Sequence, residues 1–283
     1  MPEMKQGALD SHSPSAAGLT RLSTRLSFPP GGEALYRSIV RLLDLSERSQ
    51  FLLAPCGRGR SALFVAEATG AAGAGVDPDP LMVAVAGERA KKADLAERLH
   101  FEQAPLHELP YQDGVFDVAL AEIELGAARD PDEAVRELVR VIRPGGTVVL
   151  VQLIWLRALE EERRQELVEQ LGVRPLMLVE WKQMLREAGI VDLVVEDWSD
   201  PAASRSRPSV LGGLAELFTL RGKLLLLPRA WRRWGWRGVR AVLSRERELR
   251  RLLKDERVLG VTLIKGTRAA AEPMEDTSEE HGE

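Results

Sequence analysis

One cysteine, Cys56, stands in a chain of 283 residues, so no internal disulfide framework can hold the fold together. The four histidines, His12, His100, His107 and His281, are scattered, with no second histidine or cysteine at ligand spacing. That excludes the common nitrogen–sulfur metal sites, and no metal is expected. No run of 18 apolar residues occurs, which excludes a membrane-crossing helix. The first 26 residues mix Ser, Gly, Ala and charge without an apolar stretch, so no secretory leader is expected. With one cysteine and no leader, the expected setting is cytoplasmic. The composition, 45 % hydrophobic and 29 % charged, is that of a soluble globular protein long enough for one large domain or a core plus a cap.

The net charge of −4 hides an uneven distribution. The tail from Arg268 to Glu283 has six acids (Glu272, Glu275, Asp276, Glu279, Glu280, Glu283) against one arginine. Such a segment is expected to be solvated and disordered. Residues 221–257 hold thirteen Lys/Arg against four acids. There Leu224 to Leu227 precede Trp231, Trp234 and Trp236, which alternate with arginines. Three readings of this segment stay open. It can be a helical cap whose apolar residues fill space above a sheet. It can meet an anionic membrane as a peripheral surface. It can also face nucleic acid.

The pattern along the chain is alternating. Strands are expected at 51–54, 73–77, 99–103, 116–121 and 146–153, with helices at 60–69, 79–92 and 131–142. A helix from Gly31-Gly32 through Leu45 precedes them, with Leu35, Ile39, Leu42 and Leu43 on one side. Such alternation predicts a parallel sheet covered on both faces. Asp130 caps the helix that opens at Pro131. Beyond these, Leu159–Leu171 reads as a charged helix and Leu178–Ala188 as an amphipathic one, with Val179, Trp181, Met184, Leu185 and Ala188 at helical spacing. Strands follow at 192–197 and 258–265. The expected organisation is a disordered or lid segment at 1–30, where Leu19, Leu22 and Leu26 make one helical face. A core spans 31–198, a basic helical insertion 199–257, a last core strand 258–267, and an acidic tail 268–283.

The most informative stretch is Phe51–Pro80. It reads as strand, tight turn (Cys56-Gly57-Arg58-Gly59), helix (Ser61–Thr69, with Leu63, Phe64 and Ala66 toward a sheet), and strand ending at Asp77. Two glycines let the backbone approach a ligand where any Cβ would clash. The helix behind them presents free N–H groups. A carboxylate about 20 residues on can accept from two ribose hydroxyls. The arrangement suits an adenosine-containing cofactor.

This segment resembles the first motif of the class I S-adenosylmethionine-dependent methyltransferases. Val76-Asp77-Pro78-Asp79-Pro80-Leu81-Met82, Glu108–Val118 (ELPYQDGVFDV) and Leu138–Gly146 (LVRVIRPGG) resemble three further motifs of that family, in order and at its spacing, over about residues 31 to 155. The resemblance implies a doubly wound, Rossmann-like α/β sheet of about seven strands, mostly parallel with an antiparallel last strand, plus a helical cap. It implies S-adenosylmethionine as cofactor. Ala54, Cys56, Gly57 and Gly59 would contact the methionine part, and Asp77 the ribose. Pro78 and Met82 would pack on the adenine, with Ala104 and Leu106 on its other side. Ala121 and Glu122 would lie below the donor methyl, Glu122 being the catalytic candidate. Tyr36 and His107 are candidates on the acceptor side. Arg58 either offers a cation to the cofactor carboxylate or points to solvent. The expected activity is methyl transfer to a small, apolar or lipid-like acceptor. The alternative is a catalytically degenerate relative that binds or assembles through its basic cap. Three positions depart from the family pattern: Leu53 where an acid is usual, Pro55 for a glycine, and Pro105 for an adenine-binding Asp. After strand four the chain reads Ala121-Glu122-Ile123-Glu124, without the Pro-Pro-aromatic motif of base methylation, so a nucleic-acid substrate is not expected.

Overall fold

The structure is a computed structural model that describes residues 14–22, 32–199, 220–251 and 257–270. Of the expected segments, residues 1–13 and 23–30 with Leu26, residues 200–219 and 252–256 of the basic insertion, and residues 271–283 of the acidic tail lie outside those residues.

Helix α1 (Ala16–Leu22) and α2 (Gly32–Leu43) lead into the alternating core. That core runs β1 (Gln50–Leu53), α3 (Arg60–Thr69), β2 (Ala72–Asp77), α4 (Pro80–Lys92), β3 (Leu99–Gln103) and β4 (Phe116–Ala121). A 3-10 turn (Ile123–Ala127), α5 (Pro131–Val141) and β5 (Ile142–Trp155) follow. The chain then forms α6 (Glu161–Leu171), β6 (Leu176–Met177), α7 (Leu178–Glu187), β7 (Ile190–Asp197), α8 (Leu220–Arg250) and β8 (Leu259–Arg268). The sheet order is β3-β2-β1-β4-β5-β8-β7. β1 to β5 are mutually parallel where they pair, and β8 runs antiparallel between β5 and β7.

Side chains alternate across this sheet with period two. Phe51, Leu53, Val118, Leu120, Val149 and Val151 join one buried cluster with residues of α1, α2, α3 and α8. Leu52, Ala54, Ala119, Ala121, Val148 and Leu150 join the other with α5 and α7. Both faces are covered, which is why the strands read as nearly continuous apolar runs. Asp130 caps α5 through its Oδ1, which accepts from the N–H groups of Asp132 and Glu133 at 3.0 and 3.1 Å. Arg140 of α5 donates to the carbonyls of Leu109 and Tyr111, at 3.1 and 2.8 Å. Glu137 accepts from the N–H of Leu109 at 2.8 Å. The segments Glu108–Val118 and Leu138–Gly146 are thus tied to each other, fixing the loop that leaves β3.

Several expectations need correction. β5 begins at Ile142, which pairs with Phe116; the register then shifts across Arg143 to Gly146 and resumes at Thr147 opposite Val118. β7 starts two residues early, at Ile190. The two-residue strand β6 pairs beside the end of β5, too short to leave a periodic signal. Val179 is exposed while Trp181 is buried: two helical steps of about 100° put them on nearly opposite faces. α2 ends at Leu43, two residues before the expected stop. Residues 16–22 of the expected lid segment are helical, and Leu19 is fully buried.

Trp181 is among the largest fully buried side chains. Trp181→Ala is expected to cost roughly 3–5 kcal/mol through the cavity it leaves. Urea unfolding of the variant measures this, and a loss below about 1 kcal/mol would contradict the packing described.

Candidate functional site

The site forms at the carboxyl ends of β1, β2, β3 and β4. Register places Leu53 beside both Gly75 and Leu120, and Asp77 beside Gln103. The turns that follow β1, β2 and β4 therefore emerge side by side, at the point where the strand order reverses. Ala54 N–H donates to Leu120 O at 3.0 Å, and Cys56 N–H to Val76 O at 2.7 Å. Gly57 and Gly59 both adopt left-handed backbone, with φ of 50° and 76°. Gly59 also passes α4 closely: a Cβ there would lie 2.9 Å from Ala86 Cβ. Around Gly57, by contrast, an added Cβ would find only Glu124 Oε2 within 4 Å, at 3.9 Å. The backbone is exposed to open space there, as a ligand cradle requires.

Asp77 fixes that loop. Its Oδ2 accepts from Gly57 N–H at 2.9 Å and its Oδ1 from Asp79 N–H at 2.9 Å. Each carboxylate oxygen keeps a further lone pair. Asp77 is fully buried. Burial raises its pKa, Glu124 raises it further, and Arg21 with the two N–H donors opposes them.

Arg21, at the end of α1, spans the acids. Its Nε lies 3.3 Å from Glu124 Oε1 and its Nη1 3.4 Å from Asp79 Oδ2. Arg58 donates from Nη2 to the carbonyl of Arg21 at 2.6 Å. Arg58 therefore holds the last turn of α1 and does not point to solvent. Neither Arg21 nor Glu124 was legible as a site residue. Glu124 lies two residues past Glu122, a faint signal; Arg21 gave none, because the acids it meets are far away in the chain.

Glu122 lies deeper. Tyr36 Oη donates to its Oε1, and Ser61 also bonds its side chain. Gln152, itself buried, donates to the Glu122 carbonyl at 2.9 Å, which anchors the backbone. Burial pushes the Glu122 carboxyl up to about 7, against the two hydroxyl donors. Tyr36 is fully buried, and burial followed by the Glu122 charge raises its pKa.

The remaining residues fall into place unevenly. Ala54, Ala104, Leu106 and Ala121 meet in one buried cluster beside the loops. Cys56 is buried in the opposite cluster, its thiol pushed well up by burial, so it packs and does not react. Pro78 is exposed, and its carbonyl accepts from Gln103 at 3.4 Å. Met82 is buried, whereas its neighbour Leu81 is exposed. His107 is exposed and Pro105 lies at the surface. Leu53 is fully buried in the core and offers no polar contact. Among the described residues, no group of three or more His, Cys, Asp or Glu could hold a metal ion.

The Glu122 shift has a pH signature. A carboxyl whose folded pKa is raised favours folding below its unfolded value of about 4.3, and that contribution is lost as pH rises through about 7. The loss is at most about 4 kcal/mol. Glu122→Gln is expected to remove it, so the variant's melting temperature should gain on the wild type from about pH 5 to about pH 8.5. Parallel melting curves for the two proteins across that range would contradict the assignment.

Comparison with known proteins agrees with this geometry. A family model described as "Methyltransferase domain" matches residues 52–150. The 27-O-demethylrifamycin SV methyltransferase of Amycolatopsis mediterranei is 34 % identical over 188 residues, covering 65 % of this chain and 66 % of that protein. The methyltransferase GfsG of Streptomyces halstedii is 32 % identical over 123 residues, 44 % of each chain. The chain thus matches just under two thirds of the first relative's length and less than half of the second's. Among solved structures, the [4+2]-cyclase SpnF superposes with a TM-score of 0.65 at 24 % identity, covering 84 % of this chain and 82 % of that one, which speaks to the fold. Two of the four sequence motifs meet at the carboxyl ends of β1 and β2 and the other two at the starts of β4 and β5, and residues 52–150 form a methyltransferase domain of the class I S-adenosylmethionine-dependent type.

Proposed function

We propose that this protein transfers a methyl group from S-adenosylmethionine to a small, largely apolar acceptor. The observation that carries the reading is the Asp77 carboxylate bridging Gly57 and Asp79 beneath an open glycine loop. The cofactor supplies a sulfonium-activated methyl group, so the protein's task is chiefly to position the acceptor and move its proton. The residues fit the group. Gly57 and its neighbours offer backbone to the methionine part, and Asp77 has lone pairs left for ribose hydroxyls. Ala104, Leu106 and Leu81 offer apolar surface to the adenine. Leu53 cannot hold an ammonium, and Glu122 takes that polar role or accepts the acceptor's proton. A carboxyl near 7 suits proton transfer close to neutrality. Helix α1, with Arg21 across the acids, serves as the lid.

An apolar acceptor is supported by two further relatives, a sterol 4-C-methyltransferase of Caenorhabditis elegans and a tocopherol O-methyltransferase of Arabidopsis thaliana, at 28 % and 30 % identity. Both names specify mostly hydrocarbon acceptors. A second reading, a relative that has lost the chemistry, is favoured by one observation: Arg21 already occupies the acidic side of the site.

Calorimetry with S-adenosylhomocysteine decides between them. The wild-type chain is expected to bind, and Asp77→Ala to weaken binding by about 1.5–3 kcal/mol per charge-assisted bond lost. Unchanged affinity in a folded Asp77→Ala protein would remove Asp77 from the site. No binding by the wild type would favour the second reading. Glu122→Gln separates the two roles of that residue: weakened binding marks the ammonium contact, and a fall in kcat alone marks the proton acceptor.

A further inference from the structure

Helix α8 breaks at Gly235, whose φ of 59° and ψ of −142° lie outside any helix. The two halves lie against each other across the break: a Cβ at Gly238 would come 2.4 Å from the carbonyl oxygen of Ala230. One side of this elbow is docked. Leu226, Ala230, Ala241 and Val242 are buried in the core cluster that also holds Leu19 of α1, and Trp234 packs partly against it. The other side is bare and apolar. Leu224 is 67 % exposed, Trp231 47 %, Trp236 73 % and Leu243 53 %. Leu224, Pro228 and Trp231 recur at i, i+4 and i+7, which makes one stripe down the first half. Trp231 and Trp236 meet edge to face at the corner, with ring centroids 4.8 Å apart.

Charge surrounds that stripe. Residues 223–244 contain Lys223, Arg229, Arg232, Arg233, Arg237 and Arg240, and no acid. Arg229 stands near enough to Arg58 for their charges to oppose each other, so the basic surface continues to the glycine loop. Among the described residues, no helix is long and apolar enough to cross a membrane. The elbow would therefore act by lying on a surface.

We propose that the α8 elbow docks this protein on an anionic lipid surface, with Trp231, Trp236 and Leu224 entering the interface and the flanking arginines meeting the headgroups. An apolar stripe ringed by like positive charge complements a membrane on both counts. Nucleic acid fits less well. Exposed leucines do not stack on bases, and each tryptophan of the corner pair is partly occupied by the other. The position also suits an apolar acceptor, which would be concentrated in the same membrane beside the lid.

The test uses the full chain and vesicles of phosphatidylcholine with or without about 30 % phosphatidylserine. Sedimentation is expected to show binding to the anionic vesicles at least about tenfold above the neutral ones, lost in about 0.5 M salt. The triple variant Arg232→Gln/Arg233→Gln/Arg237→Gln should bind about a hundredfold more weakly, near fivefold for each charge removed. Trp231→Ser/Trp236→Ser should lose fluorescence quenching by brominated lipid while keeping the wild-type melting temperature. Since both rings are largely exposed, that melting control is expected to hold. If it fails, the triple variant, whose arginines are exposed, decides alone. Equal and negligible binding to both vesicle types would overturn the proposal. So would undiminished binding by the triple variant, preferential capture of single-stranded nucleic acid over anionic vesicles, or a stable dimer that shields both tryptophans from quencher. None of these readouts depends on cofactor binding, so failure here is distinct from failure of the methyltransferase reading.

Discussion

The bridge from Asp77 to Gly57 and Asp79 is the interaction on which the site depends. A carboxylate at the end of β2 draws in the turn after β1 and starts the turn into α4, where Asp79 caps the helix by accepting from Leu81 N–H at 2.9 Å. The bond to Gly57 is charge-assisted and sits in a nearly dry position, where such bonds are stronger than in water. It also explains the glycines. A loop held this closely to a strand end needs backbone at positive φ, and Gly59 has no room for a Cβ beside Ala86. The helix behind the loop then starts with its N–H groups aimed over the same edge of the sheet.

Gathering carboxylates in one place has an electrostatic consequence. Asp77, Asp79, Glu122 and Glu124 converge on one end of the sheet, and burial pushes Asp77 and Glu122 upward. Arg21 offsets part of this by spanning Glu124 and Asp79, and its own pKa is raised by those acids. Helix α1 is therefore held by charge as well as by Leu19. A cation brought to these acids would compete with Arg21 for them.

The departures from the family pattern have a common physical outcome. Leu53 adds to the core instead of to the pocket, and Pro105 faces solvent. Polarity lost at the end of β1 is present instead after β4, where Glu122 is held by Tyr36, Ser61 and Gln152. Those three partners come from α2, α3 and β5. The carboxyl is thus held by hydroxyls from α2 and α3 while the backbone is anchored from β5, which fixes its orientation.

By itself the sequence determined the alternation of strands and helices, the glycine turn, and the carboxylate about 20 residues beyond it. Each is a local signal: period-two and near-period-four apolar patterns, a proline after a capping Asp, glycines where φ turns positive. The limits of β3, β4 and α3 follow from such signals alone. Tertiary structure decided the rest. Arg21 and Glu124 lie 103 positions apart, and only the docking of α1 brings their charges together. The role of Arg58 depends on where that same helix ends. The basic segment read equally well as a packed cap or an exposed surface, because Trp and Leu serve both. The break at Gly235 settled which side chains face the core and which face outward, placing Trp234 partly inside and Trp231 and Trp236 at the surface. Periodicity fixes which residues share a face, but which face is buried depends on neighbours distant in the chain.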